Sequence, residues 1–327
     1  MSEKTPFVVT VVHCWSAPRS RSTALLYSFE ARGANECVAL DEPLYREWLI
    51  QRGDTVARPY TKEMIDGVPP GGITETTTKE EIFPWKRECK SLQERILEGA
   101  EQLATGGDSG AGVIFCKHMA KHCFLYNFEK ESKSPNDKIK LVHKHLLLIR
   151  DPVQVLSSWD NSSEVHGNDA SPDEVGIVPL LSIYSSLQSR PLDLRTPVVL
   201  LDSDELAADP EGTLSNVCKD LEIPYLESMI TWKSGPHACD GPWAKVRTLC
   251  LNIIFLLEHF VYMLEFIETM GAHRKLFGVT VVVPKCTQID WLAHYYHLLR
   301  QILPRNRSLP DFASRFVAGI ACILSSL

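Results

Sequence analysis

Apolar positions follow two rhythms that alternate along the chain. Residues 7–15 (FVVTVVHCW) form an almost unbroken β-branched run, the pattern of a central parallel strand covered on both faces. The run breaks at Ser16-Ala17-Pro18-Arg19-Ser20, and helical spacing follows through Leu25, Leu26 and Phe29 to about Gly33. Residues 38–40 predict a short second strand. Strand character returns at 113–116, 146–149 and 198–201, with helical stretches at 90–103, 152–159, 173–188 and 210–221. Asp209 before Pro210 reads as an N-cap followed by a first-turn proline. Strand and helix in this alternation predict an α/β fold, a parallel sheet flanked by helices on both faces. Residues 53–84, rich in Gly, Pro and Thr and without a period, read as a long surface excursion, and 106–112 as a flexible link.

The pattern changes beyond about Lys245. Residues 249–267 are apolar almost all round, and 316–327 are apolar again. Glu258, His259 and Glu265 interrupt the first run, and each would cost about 2–3 kcal/mol or more at mid-bilayer, which favours a buried helix over a spanning one. The chain is therefore expected to divide into a domain at 1–246 and an atypical apolar helical extension at 247–327. That extension is expected to pack loosely and to be no integral part of the domain.

Composition narrows the function. With 327 residues, 44% hydrophobic and 23% charged, the chain has the make-up of a packed globular protein. A formal charge of −7 argues against a nucleic-acid binder, which needs a basic face, yet leaves room for a small basic pocket. The ten cysteines show no paired CxxC spacing, and Cys14, Cys116 and Cys218 fall in apolar runs, as buried reduced thiols rather than disulfides or zinc ligands. The first residues have no apolar signal core, so a cytoplasmic location without a membrane partner is expected.

Two segments carry the candidate chemistry. Pro18-Arg19-Ser20-Arg21-Ser22-Thr23 lies between a buried strand and a helix, where first-turn N–H groups and the positive helix end face an anion. The hydroxyls of Ser20, Ser22 and Thr23 and the Arg19 guanidinium add donors. An ATP loop would need G-x-x-x-x-G-K-[ST]; neither its glycines nor its lysine stand in register here, which disfavours a nucleotide triphosphatase or ordinary kinase. The second segment begins at Arg150-Asp151-Pro152, directly after the strand at 146–149. Pro152 suits a first helical turn, and Ser158 projects from the same helix toward Arg150. Alone, Arg150-Asp151 would read as a strand-end salt bridge.

Together the two segments resemble the P-loop sulfotransferase superfamily. Its P-[RK]-S-x-[ST]-[ST] loop cradles the 5′-phosphosulfate of 3′-phosphoadenosine 5′-phosphosulfate (PAPS), and the arginine and serine of its strand–R-[DN]-P-x-x-x-x-x-S segment bind the 3′-phosphate. The resemblance covers roughly residues 7–245 and includes residues 200–206 with Asp209-Pro210, similar to the family's closing β–α unit. Lys233-Ser234-Gly235 and residues 241–245 loosely resemble the loop that closes over the donor nucleotide in cytosolic sulfotransferases. The chain departs from the family where lysine and glycine are usual and Arg19 and Arg21 stand instead. The resemblance implies PAPS as cosubstrate, no metal, and a small-molecule acceptor offering a hydroxyl or amine. It implies donor contacts from Pro18, Arg19, Ser20, Arg21, Ser22, Thr23, Arg150 and Ser158, with Arg19 as the cation on the bridging oxygen.

Sulfuryl transfer also needs a base for the acceptor's proton. Asp41-Glu42-Pro43-Leu44-Tyr45 follows the second strand, at the sheet end where open α/β folds bind ligands. It resembles the glutamate-proline segment of carbohydrate sulfotransferases, which makes Glu42 the first choice; a helix N-terminal acid is the plain alternative. His118 is the rival, at the end of the third strand, where cytosolic sulfotransferases have a lysine and a histidine spaced by one residue. Here Lys117 and His118 are adjacent and point to opposite faces, so at most one faces the donor. Lys117 would neutralise the sulfonate. Lys121 and His122 read equally as pocket groups or a solvated helix face, Trp48, Trp159 and Tyr184 as core or pocket lining, and His143-Lys144-His145 as a solvated strand edge. Two other functions stay open. One is a non-catalytic nucleotide- or partner-binding module, related to plant branched-chain-aminotransferase-like proteins that fuse such a domain to an aminotransferase-like part with no counterpart here. The other is a small-molecule kinase with a degenerate loop.

Overall fold

A computed structural model describes residues 5–53, 58, 60–106, 110–128, 131, 133–134, 136–160, 175–190 and 197–241. Its strands are β1 (Phe7–Ser16), β2 (Cys37–Asp41), β3 (Ala111–Met119), β4 (Ile139–Ile149) and β5 (Val198–Asp202). They pair in the order β2-β3-β1-β4-β5, and every pairing between them is parallel. β1 sits at the centre, which explains its unbroken apolar run: Val9, Val11, Val12, Cys14 and Trp15 are all fully buried, from both faces.

Alternation sorts the side chains into two layers. Val12 and Cys14 of β1, with Phe115, Leu146 and Leu148, meet Leu25, Leu26 and Phe29 of α1 (Ser22–Glu30). The opposite face, through Val9, Val11, Ile114 and Cys116, meets Ile96, Ala100 and Leu103 on the helix we call α5 (Leu92–Gly106). Further along that face Trp15 and Leu147 pack on Leu180, Ile183 and Leu187 of a helix at Ile177–Gln188. Both layers place the C-terminal strand ends, where ligands bind in folds of this type, at one edge.

Three readings of the sequence are corrected. Residues 53–84 are not structureless: beyond α2 (Tyr45–Arg52), the chain forms α3 (Thr61–Asp66) and α4 (Lys79–Glu88). Thr78 and Glu81 close a capping box at the start of α4, a signal the Gly/Pro/Thr composition obscured. Met64 and Trp85 then anchor α3 and α4 on Trp48 and Leu49 of α2. The link at 106–112 is shorter than read, since Gly106 still ends α5 and Ala111 already starts β3. The basic stretch His143-Lys144-His145 is no solvated edge: it belongs to β4, between β1 and β5, and all three side chains are buried.

The remaining described helices are α6 (Pro152–Asp160), α7 (Ile177–Gln188), α8 (Ser203–Ala208) and α9 (Pro210–Asp220). Asp209 caps α9 as expected, its carboxylate accepting from Gly212 N at 3.0 Å. Trp48, Trp159 and Tyr184 are buried, and Cys14, Cys116 and Cys218 are buried free thiols. Among the described residues no helix is long and apolar enough to cross a membrane. The boundary at 246, the apolar extension at 247–327 and the first part of the helix read at 173–188 lie outside the described residues.

Candidate functional site

The turn between β1 and α1 is shaped by two arginines in a conformation that side chains disfavour. Arg19 and Arg21 both have φ 62°, in the left-handed region that costs an L-residue about 1–2 kcal/mol. Ser20 turns inward and donates to Ala17 O at 2.6 Å, closing the loop on itself. Arg21 is the N-cap of α1 but gives it no side-chain cap bond, and the first turn holds no acid. That helix end therefore keeps its preference for an external anion. Gly176 presses on the start of the loop: with φ 77°, it lies where a Cβ would come 3.4 Å from the Ala17 Cα.

The second segment converges on this loop. Arg150 leaves the end of β4 and donates through Nη1 to Arg19 O at 2.6 Å, while its Nε and Nη2 hold Gln154 Oε1 at 3.2 and 2.9 Å. Ser158, two turns along α6, accepts from Arg19 Nε at 2.9 Å. Gln154 donates onward to Asp204 Oδ2 at 3.2 Å, and Asp204 Oδ1 receives Arg21 Nη1 at 2.8 Å. Arg19, Arg21, Arg150 and Ser158 thus stand in one hydrogen-bonded network. Burial, and then the neighbouring Arg21 charge, push the Arg150 guanidinium below its ordinary value against the pull of Asp204. Packing three guanidiniums this closely is unfavourable; the Asp204 carboxylate offsets part of it, and a bound anion would offset more.

A second cluster forms where β2 and β3 end. Lys117 Nζ, buried, lies 2.9 Å from Asp41 Oδ1 and 2.8 Å from Glu42 Oε1. Glu42 has φ 43° and donates its backbone N–H to Lys117 O at 2.8 Å, which fixes the carboxylate against the ammonium. Ser16 Oγ reaches His118 O at 3.1 Å and ties the end of β1 to the same edge. The described part of the segment after the 3-10 turn at Glu227–Ile230 packs back on this edge and α1: Tyr27 Oη donates to Asp240 at 2.7 Å, Glu30 accepts from Cys239 N at 2.8 Å and binds His237, and Gly241 N reaches Asp41 Oδ2 at 3.4 Å.

The structure brings Arg19, Arg21, Arg150 and Ser158 together, and Lys117 with Glu42. Pro18, Ser20, Ser22 and Thr23 share the loop and first helical turn with the arginines. His118 goes the other way. Its imidazole is fully buried on the opposite sheet face, stacked on Trp15 at 4.3 Å, and burial followed by the charge of His145 lowers it to about 3. His122 is buried between Tyr45 and Trp48 rather than on a solvated face. Sequence reasoning missed Asp204 and Gln154, the links that join Arg21 to Arg150. The signal for Asp204 was its place after Asp202, which caps α8 by accepting from Asp204 N at 2.8 Å.

A family model described as a sulfotransferase domain matches residues 109–249. Two curated relatives from Arabidopsis thaliana, branched-chain-amino-acid aminotransferase-like proteins 2 and 1, are each 37% identical, over 235 and 234 residues. Each match covers 72% of this chain and 34% of the relative, so the chain spans about a third of the length of those relatives. Among solved structures, the sulfotransferase domain of the Synechococcus PCC 7002 olefin synthase aligns at TM-score 0.47 with 14% identity, covering 95% of this chain and 98% of that one. The sulfotransferase domain of the curacin biosynthetic pathway aligns at 0.45, also with 14% identity, over 90% and 99%.

Proposed function

The chain carries a sulfotransferase-like domain of the P-loop superfamily, and from that premise we propose that it is a PAPS-dependent sulfotransferase acting on a hydroxyl or amine of a small acceptor. One observation carries the reading: two segments far apart in the chain meet, with Arg150 on the Arg19 carbonyl and Ser158 on the Arg19 guanidinium. In this reading the loop from Pro18 to Thr23 and the start of α1 hold the 5′-phosphosulfate, while Arg150 and Ser158 hold the 3′-phosphate.

The reaction then runs as a single displacement. Glu42 takes the acceptor's proton as the acceptor oxygen or nitrogen forms its bond to sulfur. The bond from sulfur to the bridging oxygen breaks, and its electron pair stays on the 5′-phosphate of adenosine 3′,5′-bisphosphate. Arg19 offsets the charge growing on that oxygen, and Lys117, held beside Glu42, offsets charge on the sulfuryl oxygens.

A non-catalytic nucleotide-binding module is the second reading, favoured by Arg21, whose guanidinium already holds Asp204. Calorimetric titration with adenosine 3′,5′-bisphosphate, then with ATP·Mg²⁺, separates these readings and the kinase. Sulfotransfer requires binding of the bisphosphate without metal and in preference to ATP·Mg²⁺, together with release of bisphosphate from PAPS when an acceptor library is added. Preference for ATP·Mg²⁺ would establish the kinase, and bisphosphate binding without transfer the second reading.

A further inference from the structure

Five candidate metal ligands share the face of the sheet that lies opposite Lys117. The parallel register sets His13 of β1 beside Cys116 of β3 and beside His145 of β4. His118 stands two residues beyond Cys116, and His143 two before His145, so all five point to the same face. All are buried. His13 is the centre of the group. On the β3 side its Nδ1 lies 3.1 Å from His118 Nε2; on the β4 side its Nε2 lies 3.0 Å from His143 Nδ1 and 3.1 Å from the Tyr126 hydroxyl.

A core does not gather imidazoles without a reason. A buried polar atom left without a partner is costly, and apolar residues would fill the same space more cheaply. His118 Nδ1 is buried and has no hydrogen-bond partner. His13, Cys116 and His118 each offer a ligand atom, and these atoms lie within 4.8 Å of one another. In a tetrahedral zinc site, with metal bonds of about 2.0–2.3 Å, ligand atoms stand about 3.3–3.7 Å apart. The His13–His118 separation already falls near that spacing.

We infer that His13, Cys116 and His118 form a binding site for a zinc-class divalent cation, clamping β1 to β3 directly behind Lys117. Two imidazoles and a thiolate suit zinc and its neighbours and exclude magnesium or calcium as the natural occupant. On binding, the histidines give a lone pair each, and Cys116 exchanges its S–H proton for the metal, releasing it to solvent. Partners that orient His13 are in place. With the metal on the β3 side of His13, its Nε2–H is free to donate to His143 or Tyr126. Next in the row, His145 accepts from Trp15 Nε1 at 3.3 Å and meets Glu131 at 2.9 Å. Lys117 stands between Cys116 and His118 in the chain, so the clamp would fix the backbone that presents it to Asp41 and Glu42.

The site is independent of donor binding and departs from the sequence expectation of plain buried thiols and no metal. The test uses the full chain, dialysed against a chelator and titrated with Co²⁺. One equivalent should produce the near-ultraviolet thiolate-to-cobalt charge-transfer band and the intense visible bands of tetrahedral cobalt, both displaced by Zn²⁺. Cys116→Ser should abolish the charge-transfer band, whereas Cys123→Ser, a half-buried thiol on the adjoining turn, should retain it. His118→Asn should weaken Co²⁺ binding at least tenfold, and Zn²⁺ should raise the melting temperature of the parent but not of that variant. A parent that gives no thiolate-to-cobalt band, or a band that survives Cys116→Ser, would overturn the assignment.

Discussion

Arg19 Nε donates to Ser158 Oγ at 2.9 Å, a contact between residues 139 positions apart in the chain. Arg150 completes the join by holding the Arg19 carbonyl, so the loop and α6 are fixed relative to each other by their own hydrogen bonds. A site built this way orders few groups on binding, and the cations it gathers gain most from an anion.

The loop's strain gives a test on the protein alone. Arg21 sits at φ 62°, a conformation glycine takes without the side-chain clash. Arg21→Gly and Arg21→Ala both lose the half-exposed Asp204 bridge, which is worth at most about 1 kcal/mol. The glycine variant is nevertheless expected to be about 0.5–1 kcal/mol more stable than the alanine variant, read from urea midpoints. Equal midpoints, or a more stable alanine variant, would show that the backbone strain is not real.

Glu42→Gln is expected to leave bisphosphate affinity nearly unchanged and to cut turnover by about 10²–10⁴-fold with any accepted substrate. His118→Ala, acting from the opposite sheet face, is expected to cost less. Steady-state turnover ranks the two, and the reverse order would transfer the base to His118.

Lys117 carries two carboxylates, one of them the buried Asp41. Lys117→Met removes the ammonium and is expected to destabilise the fold by about 3–5 kcal/mol. Adding Asp41→Asn to that variant should restore at least half of the loss. Urea denaturation of the single and double variants checks this, and a cost below about 1 kcal/mol for Lys117→Met would contradict it.

His122 gives the pH dependence a sign. Both its ring nitrogens are buried without a partner, and burial, followed by the charges of Lys121, His118, Lys117 and Arg58, lowers it well below 6.5. The rings of Tyr45 and Trp48 pack against it. The folded imidazole stays neutral while the unfolded chain takes up a proton below about pH 6.5, so its contribution to stability is lost as pH falls through that value. One such group changes stability by up to about 1.4 kcal/mol per pH unit. His122→Leu should therefore lose less stability than the parent between pH 7.5 and 5.5, measured by urea midpoints. Parallel losses in the two proteins would show that His122 titrates normally.

The fold was legible wherever burial is two-sided. The runs at 7–15, 113–116 and 146–149 proved to be strands buried on both faces, because a parallel sheet covered by helices demands continuous apolar residues, whereas 198–201 is the edge strand β5, in which Leu200 is exposed. Of the candidate site, the sequence offered two separate segments and only the resemblance joined them; the structure sets Arg19 of one against Arg150 and Ser158 of the other. The histidine row was not. His13, His118, His143 and His145 are scattered in sequence, and only the register of β1, β3 and β4 aligns them; polarity alone made 143–145 look solvated. Helices α3 and α4 were hidden because they are short and held by Met64 and Trp85 on Trp48 rather than by a long apolar period. Gln154 escaped because its role is to connect other side chains, which no local pattern encodes, and Asp204 because an acid in the first turn of α8 reads as an ordinary helix start.

In the proposed reading Arg150 and Ser158 bind a 3′-phosphate. Calorimetric titration with adenosine 3′,5′-bisphosphate and with 5′-AMP, which lacks that phosphate, tests it most directly in the parent and in Arg150→Ala. The parent should prefer the bisphosphate strongly. Arg150→Ala should lose about 2–4 kcal/mol of bisphosphate affinity while binding 5′-AMP nearly as before, so that the preference collapses; Ser158→Ala should lose about 1 kcal/mol. A folded Arg150→Ala protein that keeps the parent's preference, or a parent that binds both nucleotides equally, would contradict the account.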